Sequence, residues 1–140
     1  MNDKIFVDTN LWIYLFSNSE SIDDKKKNES VKNLLRKSSD IIISAQVLSE
    51  VSNVLLGKMA FPVEKIRNII FELVESFEVK PVDDRDISYA LDIVDKYKIS
   101  WYDALIVASA INSKTKILYS EDFQNGLEID RSIKIINSFN

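Results

Sequence analysis

Cysteine and histidine are both absent from this 140-residue chain. Without cysteine there is no disulfide, no thiolate nucleophile and no sulfur-held zinc or iron site. Without histidine the commonest general base and the commonest transition-metal ligand are gone, and a Ser-His-Asp triad is impossible. Any metal must therefore be held by oxygen, which favours Mg2+, Mn2+ or Ca2+ over zinc or copper. Glycine and proline are scarce, at two each. With no linker, repeat or low-complexity tract, residues 1–140 read as one domain large enough to bury an ordinary core. No apolar run approaches the roughly 18 residues that a membrane span needs. The start, Met1-Asn2-Asp3-Lys4, runs straight into a short apolar stretch that ends at an acid, unlike a signal peptide. A soluble, cytoplasmic protein is expected.

What the chain does contain is 46% hydrophobic and 29% charged residues with a formal net charge of −4. That balance is globular, and its sign argues against a nucleic-acid binder. The charge is unevenly placed, however. Lys25, Lys26, Lys27, Lys32, Arg36 and Lys37 crowd one segment. They make either a solvated helix face or a basic edge suited to phosphates.

Short β-branched runs alternate with helical stripes. Ile5-Phe6-Val7, ending at Asp8, reads as a buried parallel strand, followed by a brief helix over 11–16 that Asp8, Thr9 or Asn10 can cap. A polar loop over 18–24 precedes a thinly amphipathic helix over 26–37. Ile41-Ile42-Ile43 is a second strand, and Ala45 to about Leu56 a helix stopped by Gly57. Pro62 suits a first helical turn, and Ile66, Ile69, Ile70, Leu73 and Val74 give a 3.6-residue stripe behind it. Phe77-Glu78-Val79 is a third strand, residues 84–97 a helix, and 103–111 a helix apolar nearly all round, capped by Ser100. Ile117-Leu118-Tyr119 and Ile133 to Ile136 complete a sheet of four or five strands. The expectation is an α/β, three-layer α/β/α sandwich with a mostly parallel central sheet.

Four acids fall at comparable places in that layout. Asp8 directly follows the first strand, Asp122 comes three residues after Tyr119, and Asp103 lies in the first turn of the buried helix. Glu50 lies beside Val47, Val51 and Leu55, unusually close to an apolar face. Taken singly, Asp8 is a helix cap, Asp103 a dipole-serving acid, Asp122 a turn acid and Glu50 a surface residue. Taken together, they gather at the edge beyond the strand C-termini where open parallel sheets bind ligands. Carboxylates so grouped either stay partly protonated or hold a divalent cation, and at neutral pH the cation is the simpler solution.

Ile5-Phe-Val-Asp-Thr-Asn10, Ser44-Ala-Gln-Val-Leu-Ser-Glu-Val51, Ser100-Trp-Tyr-Asp-Ala-Leu-Ile-Val-Ala-Ser-Ala110 and Leu118-Tyr-Ser-Glu-Asp-Phe-Gln-Asn-Gly126 are spread over nearly the whole chain. In that order they resemble the motifs of the PIN-domain ribonucleases, and in particular the VapC-type toxins of toxin–antitoxin pairs. The resemblance implies that Asp8, Glu50, Asp103 and Asp122 are the catalytic and Mg2+- or Mn2+-binding acids. Asp122 is preferred over its neighbour Glu121. Thr9, Asn10 and Ser120 match supporting polar positions that steady the acids or contact phosphate. The implied activity is an endoribonuclease that hydrolyses phosphodiester bonds with metal-activated water, leaving a 5′-phosphate and a 3′-hydroxyl. An RNA substrate, a cognate antitoxin and a homodimer are implied as partners. Lys25, Lys26 and Lys27 are candidates for gripping RNA phosphates. Trp12, Tyr14, Trp101 and Tyr102 are candidates for base stacking or for packing.

Other readings are a housekeeping PIN nuclease outside any toxin pair, or a PIN-like module that binds RNA or protein without cutting. A haloacid dehalogenase-type phosphatase would need an acid where Asn10 stands. A receiver domain would need an acidic pair before the end of the first strand, and a lysine after the last, that this chain lacks.

Overall fold

The computed structural model describes residues 4–139. Met1-Asn2-Asp3, which bore on the signal-peptide expectation, lies outside them. The elements run β1 (Ile5–Val7), α1 (Thr9–Phe16), α2 (Ile22–Lys37), β2 (Ile41–Ser44), α3 (Ala45–Leu56) and α4 (Val63–Ser76). They continue with β3 (Glu78–Lys80), α5 (Asp84–Tyr97), α6 (Trp101–Asn112), β4 (Ile117–Tyr119), β5 (Glu128–Ile129) and β6 (Ile133–Ile136). The sheet has six strands in the order β3-β2-β1-β4-β6-β5, parallel throughout except for the β5–β6 pair. Among the described residues, no helix is long and apolar enough to cross a membrane.

The central strands are β-branched and apolar because helices cover both faces. Every residue of β1 and β2 is buried. One helical group links α1 to α2 and α3, and α3 to α4; the other pairs α5 with α6. Ala104 to Ala110 is buried without a break, so this stretch of α6 is enclosed on all sides, as its apolar run predicts. Trp12 is fully buried at the base of α1, its Nε1 donating to the Val7 carbonyl at 3.0 Å and its ring 5.2 Å from that of Phe77.

Three elements depart from the sequence reading, each for a local reason. Helix α2 begins at Ile22 rather than 26, because Ser21 caps it and Asp23 and Asp24 occupy its first turn, where the dipole favours acids. Pro62 is the cap of α4 instead of lying inside its first turn. The sixth strand is β5, a two-residue edge whose hairpin turn carries no glycine. Asp130 and Arg131, the central residues of the turn closed by the Ser132 amide on the Ile129 carbonyl, instead take left-handed backbone, φ 51° and 56°. The Asp130 carboxylate secures that turn by accepting from Tyr89 Oη at 2.6 Å, Lys96 Nζ at 2.8 Å and Tyr97 Oη at 2.9 Å. With these donors, Lys96 first, the Asp130 carboxyl is held down to about 2.

At the opposite edge, fully buried Asp86 is paired with Lys80 at the end of β3 and accepts from Asn112 Nδ2 at 2.8 Å and the Asp83 amide at 3.1 Å. These bonds tie β3, α5 and α6 together. Lys80→Ala strands a buried carboxylate and is expected to cost about 3 kcal/mol in urea unfolding at pH 7. Arg85→Ala, which breaks only the exposed pair with Asp83, should leave the unfolding midpoint where it is. A Lys80→Ala midpoint equal to wild type would contradict this account of the edge.

Candidate active site

Asp8, Glu50, Asp103 and Asp122 line one open cavity of about 570 Å³, together with Thr9, Asn10, Asn53 and Tyr102. Residues from four distant chain segments meet there because the strands and helices that carry them end at the same edge of the sheet. Asp8 is the cap of α1, its Oδ1 accepting from the Thr9 amide at 2.7 Å. Its Oδ2 accepts from Ser120 Oγ at 2.8 Å. Parallel β1 and β4 set that contact, since the Asp8 amide donates to the Tyr119 carbonyl at 2.9 Å. Ser120 Oγ also accepts from the Asp122 amide at 3.1 Å, and Asn10 Nδ2 donates to both Asp122 oxygens at 3.1 and 3.3 Å.

Glu50 is reached from the next strand over. Ser44 ends β2 and caps α3, which places Glu50 in the second turn. Its Oε1 accepts from Thr9 Oγ1 at 2.7 Å and its Oε2 from Gln46 Nε2 at 2.9 Å. Gln46 Nε2 also donates to the Tyr102 carbonyl at 3.1 Å, joining α3 to the first turn of α6. Asp103 stands at the third position of α6, behind the Ser100 cap. Among the described residues, none donates a hydrogen bond to its carboxylate.

Neutral donors thus hold three of the acids, yet their charges remain uncompensated. Burial pushes the Asp8 carboxyl up to about 7, with Ser120 and the Thr9 amide pulling it back and Asp122 and Glu50 pushing it further. Asp122 is also raised, by desolvation first and then by Asp103, Glu121 and Glu50, against the Asn10 hydrogen bond.

The PIN domain family model matches residues 5–124. The chain belongs to the PIN-domain family. Among solved structures, this PIN domain is similar to a toxin–antitoxin complex from Klebsiella pneumoniae, with TM-score 0.71, 17% identity, and 96% of this chain and 97% of that one covered. It is also similar to VapC20 of Mycobacterium tuberculosis, a toxin that cleaves the sarcin–ricin loop, with TM-score 0.68, 18% identity and 84% and 91% covered. A third is VapBC-1 from nontypeable Haemophilus influenzae, with TM-score 0.68, 14% identity and 98% and 99% covered. At these identities the likeness is one of fold. A comparison with functionally curated sequences returned no match.

Within this PIN domain the structure separates Glu121 from Asp122. Glu121 turns away from the acidic cavity: its Oε1 accepts from Tyr14 Oη at 2.6 Å and its Oε2 from Lys27 Nζ at 3.1 Å. Lys27 lies over the rings of Tyr14 and Phe139 as well. It is half-buried there, partnered by Glu121 and Tyr14. Lys25 pairs with Glu20 at 3.0 Å and Lys26 is exposed. None of the three lysines lines the acidic cavity. Of the aromatics, Trp12 is core, Tyr14 belongs to the Glu121 cluster, Trp101 is half-buried and Tyr102 is exposed at the cavity rim. Gln46 escaped the sequence reading, although its place four residues before Glu50 on a capped helix puts both on one face.

The donor set suits a hard divalent cation, since it consists of carboxylate oxygens with no nitrogen or sulfur ligand. As the side chains stand, no group of three acids among the described residues is arranged to hold a metal ion. Three of the acids accept hydrogen bonds from Thr9, Asn10, Gln46 and Ser120, which orient them without using every lone pair. Asp103 is already free. The Gln46 Oε1 beside Glu50 is buried without a protein donor.

A buried acid raised in this way binds a proton in the folded state that the unfolded chain has released. Its contribution to stability therefore falls as pH rises from about 3.8 to about 7, and is flat above that. Asp8→Asn keeps the shape and removes the charge. In EDTA it is expected to be more stable than wild type by a few kcal/mol at pH 8 and nearly equal to it at pH 4, as measured by urea unfolding. A pH-independent difference would show that Asp8 burial is not the cause.

Proposed function

We propose that this PIN domain is a Mg2+- or Mn2+-dependent endoribonuclease and the toxin of a toxin–antitoxin pair. The observation that carries the reading is the convergence of Asp8, Glu50, Asp103 and Asp122, and of no other acid, on one open cavity at the sheet edge. Such a set of negative groups repels an RNA phosphate unless a cation is also present. Asp8, Glu50, Asp103 and Asp122 would hold that cation, with the unengaged Asp103 carboxylate as the first ligand. A divalent ion in this position supplies phosphate neutralisation and activation of water.

The chain's own residues do the remainder. Ser120 and the Thr9 amide orient Asp8 at the buried end, while Thr9 Oγ1 and Gln46 orient Glu50 from opposite sides. Asn10 steadies Asp122 at the open side, where the substrate enters and where that carboxylate can accept a proton from attacking water. Hydrolysis by water needs no RNA 2′-hydroxyl and leaves a 5′-phosphate. The toxin role is supported by the fold shared with the toxin–antitoxin complexes, and a small antitoxin protein covering the acidic cavity would silence it. A cytoplasmic site of action and a homodimer belong to the same reading.

Purified wild-type protein should cut a mixed RNA in Mn2+ and lose the activity in EDTA. Asp103→Asn, which removes the one carboxylate without an internal partner, should lower the rate at least about 100-fold, the scale of losing a group needed in the transition state, with unchanged melting temperature. Sequencing should place new ends as 5′-phosphates in cells expressing wild type only. Equal RNA profiles for wild type and Asp103→Asn would instead mark a PIN-like module that binds without cutting.

A further inference from the structure

Asp122 is the one acid of the four that stands neither on a helix nor at a helix cap. Asp8 caps α1, and Glu50 and Asp103 belong to α3 and α6. Asp122 instead lies in the irregular stretch between β4 and β5. The Ser120 and Gly126 amides donate to the Ile136 and Ile135 carbonyls of β6, at 3.0 and 2.8 Å, and pin that stretch at two points. Between them side chains hold the backbone. Ser120 Oγ accepts from the Asp122 amide, Asn125 Oδ1 accepts from the Asn137 amide, and Glu121 is gripped by Tyr14 and Lys27.

The grip on Glu121 is the strongest of these. Both of its oxygens are taken, and Lys27 Nζ also lies 3.2 Å from Tyr14 Oη, which closes the three side chains into a ring of bonds. The Lys27 and Glu121 side chains are only 24% and 19% exposed, so solvent screens their pairing less than it would a surface contact. Their supports are braced in turn. Asn28, next to Lys27 on α2, donates to the Tyr14 and Leu15 carbonyls at 2.9 and 3.1 Å, and the Phe139 ring meets that of Tyr14 edge-on at 5.6 Å.

We propose that Lys27 is a positioning residue for the fourth acid: through Glu121 it clamps the segment after β4 onto α1 and α2, and so holds Asp122 in the acidic cavity. The proposal rests on the reading of Asp122 as a cation ligand and adds what keeps that ligand in place. Neighbouring Cα atoms are only about 3.8 Å apart, so a displaced Glu121 carries Asp122 with it. The direct hold on the Asp122 carboxylate is weaker, consisting of exposed bonds from the neutral Asn10 amide at 3.1 and 3.3 Å. Without Lys27, Glu121 becomes an unmatched carboxylate beside Asp122, which already feels its charge behind burial and Asp103.

The test titrates Mn2+ alone into the full chain by calorimetry. Lys27→Met keeps the apolar stem and removes the charge. Charge alone would make this variant bind Mn2+ more tightly, whereas lost positioning weakens binding. The expected result is a weakening of about tenfold, the scale for groups that stand behind a metal ligand, with Lys27→Arg close to wild type. In an Asp122→Asn background Lys27→Met should cause no further loss, because the two residues act as one unit. RNA cleavage by Lys27→Met should need correspondingly more Mn2+ at an unchanged KM for RNA. Tyr14→Phe should weaken binding in the same direction by less, and decides the matter should Lys27→Met not fold. Mn2+ binding in Lys27→Met equal to wild type or tighter would overturn the clamp, as would an equal loss in both backgrounds. So would a raised KM for RNA at wild-type Mn2+ affinity, which would make Lys27 an RNA contact.

If wild type binds no Mn2+, the metal-dependent reading fails and the clamp is judged in EDTA by the NMR signal of the Asn10 side-chain amide, which bonds to Asp122. Movement of that signal in Lys27→Met towards its place in Asp122→Asn would sustain the clamp. An unmoved signal would overturn it.

Discussion

Ser120 Oγ binds two acidic segments at once, donating to the buried Asp8 carboxylate and accepting from the backbone of Asp122. That bridge works against a real repulsion. At an effective dielectric of about 20, two unit charges roughly 5 Å apart oppose each other by about 3 kcal/mol, a sizeable part of a small domain's stability of about 5–15 kcal/mol. The fold meets this load with neutral donors, each fixed by a rigid element: Thr9 and Asn10 from the first turn of α1, Gln46 from α3, Ser120 after β4. The acids are held apart as well as together.

The sheet explains why those donors stand where they do. β1 and β4 are central, parallel neighbours, so the residues just beyond them emerge side by side on the same edge. β2 adjoins β1 and delivers α3 to that edge through a serine cap. Strand order therefore places Asp8 between the segments bearing Glu50 and Asp122. Elsewhere, the Lys80–Asp86–Asn112 cluster and the Asp130 turn use the opposite arrangement, in which a carboxylate is matched by donors that include a lysine. Matched acids hold elements together, whereas those at the cavity are left without a positive partner.

Most of the layout was legible because its signals are local. Short apolar runs marked β1 and β2, an apolar stripe stopped by Gly57 marked α3, and the Ser100 cap with the unbroken apolar run behind it marked α6. The convergence of the four acids was legible from their positions relative to strand ends. β5 was not, because its turn is built from Asp130 and Arg131, whose left-handed backbone is sustained by tyrosines some 30 to 40 residues away. Nor could a lysine run disclose that Lys27 is drawn inward by Glu121, a partner 94 positions along the chain. Gln46 was hidden for a similar reason, since its second acceptor is a backbone carbonyl of another helix.

Residues 104–110 of helix α6 are small or aliphatic and all buried, and the helix carries Asp103 at its open end, where among the described residues no hydrogen bond steers the carboxylate. The depth at which Asp103 enters the cavity is thus a matter of interior volume. Ala104 and Ala108 are fully buried, so added bulk at either would have to be absorbed by backbone shifts in the element that carries Asp103, without altering a single polar group of the pocket.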